Sequence, residues 1–258
     1  MSILDINENT TKEEALVKMK KLNGGYILRF LNEELQKDKE LVLVAVKRYG
    51  EALFYASEEL QNDKEVVMTA IKNSFEALQY ASVELRDDKE FMLEVLKENV
   101  FALEYASDRL RKDKEVAKEF VEINGYYLRF VSEELKDNRF IVSKAICTTP
   151  DALQFASIDL RDDEEIVMEA IKKMGAVLYF ASDRLKNKRN VLLEAIKENG
   201  YALGYTKSLL KNDFELVLEA VKQNGNALKY ASEELKNNKI IVKEALRQNK
   251  DSLKYLKQ

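Results

Sequence analysis

The sequence predicts an all-α protein, an α-solenoid in which nine 25-residue two-helix repeats stack as a superhelix between terminal caps. Three columns of residues carry that prediction. Leucine recurs every 25 residues, without an insertion, at Leu28, Leu53, Leu78, Leu103, Leu128, Leu153, Leu178, Leu203, Leu228 and Leu253. An aromatic stands two residues after each: Phe30, Tyr55, Tyr80, Tyr105, Phe130, Phe155, Phe180, Tyr205, Tyr230 and Tyr255. A second leucine column follows, from Leu35, Leu60 and Leu85 to Leu235.

Each repeat is numbered here by columns 1–25, with Tyr26, Glu51 and Glu76 as the first column-1 residues. Residues 1–25 precede the first repeat and read as an N-terminal cap: one helix, in which Glu14 to Gly24 reproduce helix B of the repeats one residue out of register. The repeats occupy residues 26–250. Apolar or small residues fill columns 2, 3, 5, 6 and 10 and then 16, 17, 20 and 21, both sets at helical spacing, which defines helix A and helix B. Column 7 is usually serine, as at Ser57, Ser82 and Ser107. Two placements of it are open: a small residue inside helix A, or the cap of a separate short turn over columns 8–11.

Column 13 is aspartate at Asp38, Asp63, Asp88, Asp113, Asp163 and Asp213 and asparagine at Asn138 and Asn238. A short side-chain oxygen there accepts from the unpaired N–H groups of the first turn, so it caps helix B. Helix B ends at Gly50, Gly175 or an Asn-Gly pair such as Asn199-Gly200, where a left-handed glycine is expected to stop the helix. In the fifth repeat this signal is replaced by Thr149-Pro150-Asp151, a helix start with threonine as cap and proline first, and a local irregularity is expected there. Residues 251–258 form a partial C-terminal repeat. No single repeat buries enough apolar surface to fold alone, so stability is a sum of repeat and interface contributions.

The segment Tyr230-Ala231-Ser232-Glu233-Glu234-Leu235-Lys236-Asn237-Asn238-Lys239, preceded by Val221-Lys222-Gln223-Asn224-Gly225, resembles the domain of unknown function 4116. Asp63-Lys64-Glu65-Val66-Val67-Met68 does too. That family's unit looks like two of these repeats, and the resemblance covers residues 26–250. It implies a helical-repeat protein and carries no catalytic residue. Departures fall in repeat five (Phe140, Cys147 to Pro150), repeat seven (Lys188, Asn190) and repeat eight (Thr206, Lys207, Leu209, Phe214), where they bear on local capping.

Composition argues against catalysis and cofactors. There is no histidine, which removes the commonest general base and metal ligand. One cysteine, Cys147, excludes an internal disulfide and a CxxC zinc or redox site. No phosphate-binding glycine loop is present. The acidic run Asp162-Asp163-Glu164-Glu165 reads as a solvated helix start. No transmembrane span or signal peptide is evident, and the expected location is cytoplasmic.

The expected function is a non-enzymatic scaffold, adaptor or inhibitor that binds a protein or peptide. Columns 1, 4 and 8 share a stripe of helix A and vary most between repeats, as recognition positions do while core positions repeat. The aromatics and arginines there suit an interface. The candidate partner-binding residues are Tyr26, Arg29, Phe54, Phe101, Tyr126, Arg129, Tyr179 and Tyr201, with Leu209 and Phe214 as a small apolar patch. The alternative is nucleic-acid binding. Lys and Arg number 26 against 36 Asp and Glu in residues 1–175, but 16 against 10 in residues 176–258. Lys186, Lys188, Arg189, Lys207, Lys211, Lys236 and Lys239 would then carry phosphate contacts. No membrane partner is expected.

Overall fold

The computed structural model describes residues 6–22, 24–207 and 209–255. Met1–Asp5, Ser208 of column 8 and the last three residues of the partial repeat lie outside them. Among the described residues every regular element is helical. They form two compact units, Met1–Val116 and Ala117–Gln258, each an all-α stack of repeats.

Within each unit a repeat has three helical pieces. A 3-10 helix runs from column 25 to column 5, as in Gly50–Tyr55 and Gly200–Tyr205. One turn of α-helix follows over columns 8–11, as in Glu58–Gln61 and Ile158–Arg161. A ten-residue α-helix then spans columns 14–23, as in Lys64–Asn73 and Phe214–Gln223. Helix A is therefore two pieces, and the serine of column 7 caps the second. Ser57, Ser82, Ser107, Ser157, Ser182 and Ser232 each accept from the column-10 leucine amide with the side-chain oxygen. The residue before each serine is extended (Ala81 φ −64°, ψ 152°), which separates the pieces.

The core follows the columns with one exception. Columns 2 and 3, 16 and 17, and 20 and 21 are almost wholly inaccessible in both units, for example Ala52, Leu53, Val66, Val67 and Ala70, or Ala202, Leu203, Leu216, Val217 and Ala220. The exception is column 5. Its aromatics are half-exposed, and Phe30 is exposed. The leucine of each Leu-x-aromatic pair from Leu28 to Leu228 fills the core, Leu253 of the partial repeat being exposed; the aromatic edges it. Columns 2 and 3 turn inward within the 3-10 helix, while column 5 is its last residue and stands at the rim, before the extended residue of column 6.

The helix B caps form as the aspartates imply: Asp63 accepts from Glu65 and Val66, and Asp213 from Leu216. Lys188 occupies the cap position of Arg189–Glu198 without a side-chain bond to that helix's amides. It belongs to an inverted ion pair. Elsewhere the basic column-14 residue reaches the column-13 aspartate of the next repeat, as Lys39 to Asp63 at 2.8 Å and Arg189 to Asp213 at 2.7 Å. Here Glu164 takes column 14 and pairs with Lys188, and Asn190 donates to the same carboxylate at 3.0 Å.

Helix B does not end on left-handed glycine. Column 24 is extended (Asn199 φ −150°, ψ 104°), and the Asn199 side chain accepts from Tyr201 to cap the next 3-10 helix. Gly200 opens that helix, and its role is steric: a Cβ there would lie 2.5 Å from the Ala220 carbonyl oxygen of the following repeat. The Thr149-Pro150 junction is regular rather than bent, with Arg139–Thr148 and Pro150–Phe155 keeping the usual lengths. Thr149 makes no cap bond of its own; its hydroxyl accepts from the Gly125 amide at 3.1 Å. The N-terminal helix Lys12–Leu22 buries Ala15, Lys18 and Met19 where the first repeat buries Val42, Ala45 and Val46. That is two residues out of the repeat register, not one.

Candidate binding surface

Columns 1 and 4 lie on the outward face of each 3-10 helix, one turn apart. Column 8 belongs to the separate α-turn, so the predicted three-column stripe is not one helix face. Arg29, Phe54, Phe101, Tyr126, Arg129 and Tyr179 are exposed, and Tyr26 and Tyr201 are half-buried. Leu209 and Phe214 are also exposed, on the 3-10 helix Leu209–Asn212 and at the start of helix Phe214–Gln223.

These side chains are joined through the column-5 aromatics, which sequence reasoning assigned to the core. In the first unit, Phe54 packs edge-on against Tyr55 of its own repeat and Tyr80 of the next, at centroid distances of 5.0 and 5.2 Å. The Arg29 guanidinium stands 4.9 Å from the Phe30 centroid and 5.9 Å from that of Tyr55. In the second unit, Tyr179 bridges Phe180 and Tyr205 at 5.4 and 5.7 Å. From column 1, Tyr126 reaches Phe155 at 5.9 Å and Tyr201 reaches Tyr230 at 6.1 Å. Each unit thus carries an aromatic ledge that continues from repeat to repeat. A signal was present in the sequence: column 5 is often tyrosine, whose hydroxyl favours a position between core and water.

Column 11 supplies a second row that sequence reasoning missed. Gln61 donates from its carboxamide to the carbonyls of Leu53 and Ala56 at 3.2 and 3.1 Å, closing the C-terminal end of the 3-10 helix. From the third repeat on, this column is basic: Arg86, Arg111, Lys136, Arg161, Lys186, Lys211 and Lys236. A cation at a helix C-terminus is favourable. The ammonium of Lys186 lies 5.6 Å from the Tyr179 centroid, and that of Lys229 lies 4.6 Å from the Tyr230 centroid. The hydrogen bond with Tyr230 holds Lys229 above the ordinary lysine range. The ledge is therefore aromatic with cations set against it.

The other candidates are occupied within the chain. Asp162 pairs with Arg184, Asp163 and Glu165 with Arg139, and Glu164 with Lys188. Among the described residues no group of three Asp, Glu, Cys or His side chains is arranged to hold a metal. Cys147 is exposed, with its thiol 3.4 Å from a Glu169 carboxylate oxygen. Of the lysines and arginines proposed for nucleic acid, Lys188, Arg189 and Lys236 are in ion pairs, and Lys186 and Lys207 approach Asp183 at 3.8 and 3.7 Å. No helix among the described residues is long and apolar enough to cross a membrane.

A family model with the description "Domain of unknown function (DUF4116)" matches residues 18–61, 38–86, 63–111, 88–136, 113–161, 163–211 and 213–258. Six of these matches begin at a column-13 aspartate; none begins at Asn138 or Lys188. The matched unit thus starts at the cap of helix B and runs through two repeats. No curated protein matches the chain.

Proposed function

Because this chain belongs to the helical-repeat family described as a domain of unknown function, we propose that it is a non-enzymatic scaffold that binds a protein or peptide along its repeats. The observation that carries this reading is the aromatic ledge. Exposed and half-exposed rings touch across successive repeats, with Phe54 and Tyr179 leaving 56% and 61% of their surface in water. Rigid aromatic side chains give large contact area at low entropic cost, and aromatic and arginine residues dominate interface energetics. A chain without histidine offers no comparable support for catalysis.

The test is capture of partners by the intact chain and by a variant with Arg29→Ala, Phe54→Ala, Tyr126→Ala and Tyr179→Ala. Loss of partners in the variant, with helicity unchanged, supports the reading. Identical partners from both proteins remove the ledge from it. The nucleic-acid alternative predicts a salt-dependent mobility shift; the close ion pairs of Lys188, Arg189 and Lys236 favour the protein-binding reading.

A further inference from the structure

Within the second unit a notch of about 460 Å³ opens beside the ledge, lined by Tyr179, Phe180 and Tyr205 and by Arg161, Lys186, Lys207 and Asp183. Gly204 also lines it. Column 4 elsewhere carries a side chain, but a Cβ at residue 204 would lie 2.8 Å from the Tyr230 ring.

Charge in the notch is unbalanced. Three cations face one carboxylate, and Asp183 holds Lys186 and Lys207 only at 3.8 and 3.7 Å. The Nε of Arg161 is buried and has no hydrogen-bond partner. Burial pushes the Lys186 ammonium below its usual range; Asp183 opposes this, and Lys207 and Arg161 add to it. An arriving anion would relieve that crowding, and the flat faces of Tyr179 and Tyr205 would receive an aromatic neighbour.

We propose that this notch is a specificity pocket for an acidic peptide segment of the partner, taking one carboxylate side chain between Lys186, Lys207 and Arg161 and stacking an adjacent aromatic on Tyr179. The assignment rests on the peptide-binding reading above and names the chemistry of the peptide. The argument for this occupant is charge complementarity: three cations and one carboxylate line the cavity.

The test uses the full chain and two synthetic peptides, Gly-Glu-Glu-Tyr-Glu-Glu-Gly and the same peptide with glutamine for each glutamate, titrated by calorimetry. The glutamate peptide should bind saturably and about ten-fold more tightly than the glutamine peptide, a difference of one order in Kd corresponding to one charge-assisted contact. Lys186→Gln with Lys207→Gln should remove that advantage. Glutamine is native at column 11 in Gln36 and Gln61, so the fold tolerates it there. The control, Lys239→Gln with Lys243→Gln, removes the same charge from helix Lys239–Gln248 and should leave binding intact. Equal affinity for the two peptides, or equal loss in the control, overturns the proposal. Tighter binding of a single-stranded RNA of equal charge, lost in the Lys186 and Lys207 variant, also overturns it and assigns the pocket to phosphate. If partner capture survives the pocket variant but not the ledge variant, the pocket assignment fails and the scaffold reading stands.

Discussion

The Ser82 hydroxyl donates to the Asn62 carboxamide oxygen of the preceding repeat at 2.6 Å while accepting from the Leu85 amide of its own turn at 3.1 Å. The Ser82 amide adds a bond to the Gln61 carbonyl at 2.9 Å. One residue thus starts a helical turn and fixes the register of two repeats. Ser107, Ser157 and Ser182 repeat the arrangement against Asp87, Asp137 and Asp162. Arg109 and Arg184 brace the first and last of those carboxylates.

Ser82→Ala should lower unfolding free energy by about 1–2 kcal/mol, the range for a lost N-cap. Ser132 is the internal comparison: its hydroxyl is buried, makes no cap bond and has no partner. Ser132→Ala should be neutral or slightly stabilising, because it removes an unsatisfied polar group. Urea denaturation of both variants reads the difference, and equal losses would contradict the clamp.

Gly200→Ala and Gly200→Asn should both destabilise, by about 1–3 kcal/mol, the usual cost of overpacking. A left-handed glycine would tolerate asparagine well. A backbone only 2.5 Å from where the Cβ must go tolerates neither. Thermal unfolding of the pair distinguishes the two physical causes.

The Glu164–Lys188 pair should show a measurable coupling. Lys188→Asp alone supplies a helix cap but sets a second carboxylate beside Glu164. Adding Glu164→Lys restores the orientation seen at Lys39–Asp63. The double variant should be more stable than either single one, because only in it do opposite charges face each other with an aspartate at the cap. Additive effects in the double-mutant cycle would refute the inversion.

Stability should fall in acid. The hydrogen bond from Lys64 and then the Phe91 amide hold Asp88 below the ordinary carboxylate range, and Arg189 does the same for Asp213. For a depressed carboxyl the contribution is full above its unfolded pKa of about 3.9 and is lost as pH falls through the lower folded value. Melting temperature should therefore drop below about pH 4. The drop should be smaller in Asp88→Asn, which keeps a cap acceptor but no longer titrates. An unchanged acid profile in that variant would remove Asp88 from the effect.

Leu178→Ala should cost about 2–5 kcal/mol, as for a buried leucine, whereas Tyr179→Ala should cost less than about 1.5 kcal/mol, the scale of aromatic pairing. The neighbours differ because Leu178 is fully buried and Tyr179 is mostly in water. Only the tyrosine variant should lose partner capture while remaining folded.

The sequence by itself determined the all-helical class, the 25-residue period, the buried columns and the aspartate caps of helix B. Each of these depends on a local pattern: leucines at helical spacing, or a short acceptor before a polar first turn. Tertiary structure decided the rest. It placed the column-5 rings at the rim, because helix A breaks after column 5 instead of running on as the single α-helix that the spacing suggests. It gave column-25 glycine a steric duty against the next repeat's carbonyl, and column-7 serine a second bond across the repeat boundary. Those roles depend on what stands 20 residues or more away along the chain, so periodicity marks the positions without revealing what they touch.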